Sequence, residues 1–197
     1  MKSEEIILAG FGGQGVLSLG KMLSYAAIIE GKETTWMPSY GPEMRGGTAN
    51  CIVIVDDAKI SSPIVSTFDT GILLNQPSLD KFEHSIKQGG FLLYEESTII
   101  TPPTRTEIQI VCIPAIAEAD KMKKKQVANM IMLGAFLEAR PIVMIETVME
   151  ALKKVLPERH HHTLSMNKEA ILRGKELAAM HLSSPNVFGK EGKNAGY

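Results

Sequence analysis

Short apolar runs alternate along the chain with longer segments in which apolar residues recur every three or four positions. Glu5 to Ala9 is a continuous apolar run of the kind buried on both faces of a parallel sheet. A glycine-rich turn follows it. From Val16 to Ile29, the residues Leu19, Met22, Leu23, Ala26 and Ala27 fall at spacings that give a helix one apolar face, and Gly31 is placed to stop it. Thr34 to Met37 predicts a second strand ended by Pro38, with Pro38 to Gly47 as a loop. Asn50 to Val55 and Lys59 to Ile64, joined through Asp56-Asp57, predict a strand and its antiparallel return.

Thr70 to Leu74, Phe91 to Tyr94 and Ile108 to Ile113 read as further strands, and Pro77 to Lys87 as a helix ending before Gly89-Gly90. After Pro114 the pattern turns helical over Gln126 to Ala139, Ile145 to Leu156 and Asn167 to His181, with breaks at Pro141 and Pro157. The order implies an α/β fold, a three-layer α/β/α arrangement with a mostly parallel sheet, an antiparallel ribbon and a helical C-terminal part. At 197 residues the chain fits one domain, expected over 1–182. Residues 183–197 are glycine-rich and polar without apolar periodicity, and read as a flexible or partner-docking tail.

Composition narrows the function classes. With 21 basic and 22 acidic residues the net charge is -1, so no chain-wide field draws in nucleic acid or an anionic membrane. Two acids precede the first apolar run, unlike a signal peptide, and no apolar run approaches the roughly 20 residues that span a bilayer. A cytoplasmic location is expected. The 2 cysteines, Cys51 and Cys112, sit inside apolar runs and read as core side chains; two thiols are also too few for an iron–sulfur cluster.

Two glycine-rich segments carry the candidate chemistry. Gly10-Phe11-Gly12-Gly13-Gln14-Gly15 fits G-x-G-x-x-G between a strand and a helix, where backbone N–H groups can approach a phosphate. A dinucleotide fold would also place an acid at the end of the second strand, but that strand runs into Pro38-Ser39-Tyr40. No Lys-Ser or Lys-Thr follows the glycines, which excludes a nucleotide-hydrolysing phosphate loop. Two readings stay open: NAD or FAD binding, or glycines that only permit a tight turn. In the second segment, Tyr40 to Gly47, Arg45 beside Gly46-Gly47 offers a planar cation and accessible backbone N–H groups to a phosphate or carboxylate. A surface pair between Glu43 and Arg45 is the alternative. The run His160-His161-His162 suggests a metal, but adjacent residues converge poorly and a solvated turn is the simpler reading.

These segments resemble the gamma subunits, or corresponding third domains, of 2-oxoacid:ferredoxin oxidoreductases. The resemblance rests on Gly10 to Val16 and on Pro38-Ser39-Tyr40-Gly41-Pro42-Glu43-Met44-Arg45-Gly46-Gly47-Thr48-Ala49-Asn50-Cys51. Further matches are Ser62-Pro63-Ile64, Asn75 to Leu79, Asn129 to Ala135, and Met166-Asn167 followed by Ala170 and Gly174. The histidine run stands where many members carry an apolar residue and proline.

The resemblance implies a subunit that completes an active site and contributes to coenzyme A binding, inactive by itself. It implies alpha, beta and possibly delta partner subunits that hold thiamine diphosphate, magnesium and 4Fe-4S clusters, and ferredoxin as acceptor through the complex. This chain has no Gly-Asp-Gly thiamine diphosphate signature and no cluster cysteines. The implied reaction is oxidative decarboxylation of a 2-oxoacid to acyl-CoA, and Arg45 to Asn50 resembles 2-oxoglutarate enzymes more than pyruvate enzymes. The cofactor-binding candidates are Gly12, Gly13, Gln14, Gly15, Tyr40, Glu43, Arg45, Gly46 and Gly47, with no catalytic residue and no metal. A stand-alone dinucleotide-binding domain and a purely structural assembly subunit are the rival readings.

Overall fold

The computed structural model describes residues 3–40 and 48–183. Six strands form one sheet in the order β2-β3-β1-β4-β5-β6. Strands β1 (Glu4–Phe11), β4 (Phe68–Leu73), β5 (Ile86–Glu95) and β6 (Gln109–Ile113) run parallel to their neighbours. On the other side of β1, β3 (Thr48–Asp56) and then β2 (Glu33–Tyr40) are added antiparallel. The expected mixed architecture is therefore present.

Residues on β1 alternate between two apolar clusters, as the two-residue period of a strand requires. Ile6 and Leu8 join the larger cluster, under the helices α1 (Val16–Ile29), α3 (Ala115–Lys121), α4 (Ala128–Ala139), α5 (Ile145–Val155) and α6 (Leu164–Ser183). Ile7 and Ala9 join the smaller one with Leu79 of α2 (Gln76–Phe82) and Ile99 and Ile108 from the segment before β6. Helix α4 is apolar all round because every residue from Met130 to Leu137 is buried. Each large side chain there contributes roughly 1.5–3 kcal/mol of burial energy.

Helices α4 and α6 cross closely at two glycines. A Cβ on Gly134 would run into the Ile171 carbonyl, and one on Gly174 into the Ile131 carbonyl. These late glycines, part of the resemblance, serve packing.

Several expected elements differ. Strand β2 does not stop at Pro38 but continues to Tyr40, with Pro38 opposite Cys51. Proline is tolerated because β2 is an edge strand and its missing N–H costs no ladder bond if it faces outward. The ribbon partner of β3 is thus β2, and Lys59 to Ile64 forms no strand: Ser62 Oγ accepts from Ile64 N at 3.2 Å in a tight exposed turn around Pro63. The helix expected to reach Lys87 ends at Phe82, and a 3-10 turn over Glu83–Ser85 leads into β5. Arg105 ends it there by donating from Nη1 to the carbonyls of Glu83 at 3.0 Å and Ile86 at 2.5 Å. Helix α3 was not expected.

Cys51 is buried in the core, whereas Cys112 is half-buried, and both are free thiols. The expected tail over 183–197 lies, beyond Ser183, outside the described residues. No helix among the described residues is long and apolar enough to cross a membrane.

Candidate functional site

Parallel strands bring their carboxyl ends to one edge, which is where open α/β sheets place ligands. A cavity of about 310 Å³ opens there between the turn Gly13-Gln14-Gly15 after β1, Leu74 after β4, Glu95 at the end of β5 and Asn129 at the start of α4.

Gln14 shapes this turn. Its Oε1 accepts from Phe11 N at 2.6 Å and its Nε2 donates to Leu74 O at 3.0 Å, while its own N–H donates to Phe11 O at 3.1 Å. All of these groups are committed within the protein, so Gln14 fixes the loop against β4. Gly13 and Gly15 have φ values of 97° and 79°, the left-handed region that glycine enters at little cost. At Gly15 a side chain would also collide with Asn129. Gly12 lies half-buried in the same turn.

The Leu74 carbonyl has a second donor, Thr98 Oγ1 at 2.8 Å, which connects it to Glu95. Glu95 is only 2 % exposed, and its carboxylate accepts from Ser97 Oγ at 2.8 Å and from Thr98 N at 3.0 Å. Its other oxygen accepts from Ile116 N at 3.1 Å, in the first turn of α3. Three protein donors, Ser97 Oγ, Thr98 N and Ile116 N, therefore surround this buried carboxylate, as burial demands, and the Thr98 hydroxyl shares its one proton between it and Leu74 O.

The cavity also faces the starts of two longer helices. Neither α1 nor α4 has an acid in its first turn or a side chain capping it. Their leading N–H groups and positive dipole ends favour an anion. Among the described residues that line it, there is no hydroxyl, thiol or imidazole side chain, and the Glu95 carboxylate is saturated by hydrogen bonds. Such a wall is suited to binding and orienting a ligand.

Strand register brings the second signature to the same edge. Phe11 pairs with Thr48, Gly10 with Ala49, and Ala49 in turn with Tyr40. Tyr40 and Thr48, which flank the 41–47 segment, therefore stand beside the carboxyl end of β1. Glu43, Arg45, Gly46 and Gly47 lie outside the described residues.

Sequence reasoning placed Gly13, Gln14 and Gly15 in the site but overlooked Glu95 and Lys125, and gave Asn129 no site role. A tandem acid ending an apolar run, Tyr94-Glu95-Glu96, was the available signal for Glu95.

The dinucleotide reading loses its scaffold here. In such folds β1-α1-β2 supplies adjacent parallel strands. Here β1 is flanked by β3 and β4, and β2 lies beyond β3.

The two cysteines do not fit a cluster. Cys51 Sγ lies 3.7 Å from Val16 O under α1, and burial pushes its thiol up to about 12. Burial also raises Cys112, which faces Tyr94. Around the histidine run, a 3-10 helix over Glu158–Thr163, the rings turn back on their own segment: His161 Nε2 is 3.0 Å from Leu156 O and His162 Nδ1 2.8 Å from Arg159 O.

Known proteins are similar to this chain in sequence and fold. The chain is 43 % identical over 130 residues to the ketoisovalerate oxidoreductase subunit VorA of Methanothermobacter thermautotrophicus, covering 66 % of this chain and 27 % of that protein. It thus spans about a quarter of that relative's length. Over 178 residues it is 35 % identical to the 2-oxoglutarate synthase subunit KorC of Methanocaldococcus jannaschii, covering 89 % of this chain and 94 % of that one. Among solved structures, the 2-oxoglutarate:ferredoxin oxidoreductase of Magnetococcus marinus, with 2-oxoglutarate, coenzyme A and succinyl-CoA bound, superposes with a TM-score of 0.84 at 27 % identity. That match covers 95 % of this chain and 33 % of the other. The profile of the pyruvate ferredoxin/flavodoxin oxidoreductase family matches residues 5–177, so almost the whole described chain carries its pattern and the chain belongs to that family.

Proposed function

We propose that this chain is the gamma subunit of a 2-oxoacid:ferredoxin oxidoreductase, that it completes an active site shared with partner subunits, and that it supplies part of the coenzyme A site. The carrying observation is convergence: the Gly13-Gln14-Gly15 turn, the residues flanking 41–47 and an anion-favouring cavity all occupy one edge of the sheet. Relatives support the assignment, since KorC is a subunit of matching length and the Magnetococcus enzyme holds coenzyme A.

In this reading Gly12, Gly13 and Gly15 present backbone to the coenzyme, Gln14 holds their shape, and Tyr40, Glu43, Arg45, Gly46 and Gly47 complete the rim, with Arg45 on a phosphate. The 2-oxoacid is 2-oxoglutarate in preference to pyruvate. Thiamine diphosphate, magnesium and the 4Fe-4S clusters belong to the alpha, beta and, where present, delta subunits, with ferredoxin taking the electrons in the cytoplasm.

The test uses the complex reconstituted with its partner subunits. Arg45→Ala and Gly13→Ala should raise the KM for coenzyme A while the complex still assembles. An unchanged KM for both would leave a purely structural subunit as the better account. A thermal shift of the chain with NAD or FAD exceeding that with coenzyme A would revive the dinucleotide reading.

A further inference from the structure

Helix α3 ends on Lys121 and the turn that follows carries Lys123, Lys124 and Lys125, of which Lys125, with Gln126, forms part of the cavity wall, so Lys123 and Lys124 directly precede a wall residue. Lys121 is held by Glu118 at 2.5 Å. Lys125 has a side chain 88 % exposed and stands 3.9 Å from Asp120, an arrangement that holds it weakly. Among the described residues, the side chains of Lys123 and Lys124 have no ion pair or hydrogen bond.

Backbone geometry singles out Lys123. It has a φ of 55°, alone among the described non-glycine residues in being positive. The N–H of Lys123 donates to Asp120 O at 2.9 Å and that of Lys124 to Ala119 O at 2.9 Å, the paired bonds of a Schellman helix end. Glycine is the residue that such a position favours, so lysine is held here against its backbone preference.

Among the described residues, Glu95, Glu118 and Asp120 do not cancel this charge. Glu95 is enclosed by its own donors, Glu118 is taken by Lys121 and Arg173, and Asp120 reaches only Lys125. Together with the uncapped starts of α1 and α4, the mouth is positive where the inner wall is largely apolar.

We propose that Lys123, Lys124 and Lys125 clamp the phosphate groups at the nucleotide end of the acyl carrier. The inference rests on the coenzyme A reading and deepens it. A neutral, slender pantetheine arm suits the cavity, which leaves the nucleotide and its phosphates at the mouth. Three flexible cations suit phosphates there as point charges.

The experiment compares Lys123→Gly, the double variant Lys124→Gln with Lys125→Gln, and Gly13→Ala in the reconstituted complex. Each lysine removed should raise the KM for coenzyme A, relative to that for pantetheine, about two- to fivefold at low salt, with the effect shrinking as salt is added. Lys123→Gly should do this while raising the melting temperature of the chain, a split that a structural role would not produce. If Gly13→Ala raises the KM for coenzyme A and the lysine variants do not, the clamp is overturned and the cavity reading survives. If no variant changes it, both fall. A parallel rise for pantetheine would also overturn the clamp.

Discussion

Gln14 reaches across the carboxyl edge of the sheet and donates to the Leu74 carbonyl at 3.0 Å, which ties the glycine turn after β1 to the end of β4. Its other amide atom accepts from Phe11 N at 2.6 Å, so one side chain closes the turn on itself and against its neighbour strand. Gln14→Ala should therefore cost about 1–2 kcal/mol in urea unfolding, because Phe11 N loses its acceptor and the Leu74 carbonyl keeps only the Thr98 hydroxyl. Gln14→Glu keeps the acceptor for Phe11 N but sets a carboxylate oxygen against the Leu74 carbonyl, and a loss at least as large is expected. Equal stability of Gln14→Ala and wild type would show that the amide bonds do not hold the turn.

The two glycines on that turn differ in what surrounds them. At Gly13 nothing lies within 4 Å of the place an added methyl group would take, so Gly13→Ala suffers only from its positive φ, about 1 kcal/mol. At Gly15 the same strain is joined by a collision with Asn129. Gly15→Ala should unfold at clearly lower urea than Gly13→Ala, and pairing it with Asn129→Ala should recover part of the difference. Additive losses in the double variant would refute the contact.

Much of this site was legible because it depends on local rules. The apolar run Glu5 to Ala9 followed by glycines and an amphipathic stretch specifies a strand, a turn and a helix without reference to the rest of the chain. What was not legible depends on distant partners. Pro38 reads as a strand end, yet β2 passes through it because only one side of that strand is paired. Lys59 to Ile64 looks like a return strand until β2 is found to occupy the place beside β3. Glu95 reads as one of two acids after a strand, and its burial makes sense only once Ile116 N and Thr98 are brought to it.

Helix packing yields a sharper test. Gly134 and Gly174 let α4 and α6 approach until each would-be Cβ meets a carbonyl of the opposite helix. Backbone cannot rotate aside as a side chain can, so Gly134→Ala or Gly174→Ala should cost at least about 2 kcal/mol, and combining them should cost less than the sum. Unfolding midpoints of the two single variants and the double variant check both points.

Acid stability provides the last prediction. Glu118 on α3 accepts from Lys121 Nζ at 2.5 Å and from Arg173 Nε of α6 at 2.8 Å, and these two cations, Lys121 first, hold its carboxyl below the ordinary range. A carboxylate lowered on folding contributes stability that is fully present above its unfolded value of about 4.3 and is lost as pH falls through the lower folded value. Glu118→Gln preserves shape but removes the charge, and should cost about 1–2 kcal/mol at pH 7. The gap between variant and wild type should hold from pH 7 to about pH 5, then close as pH falls below the unfolded value. Urea midpoints at pH 7, 5 and 3 read this directly, and a gap that stays constant to pH 3 would mean that the ionised form of Glu118 is not what joins α3 to α6.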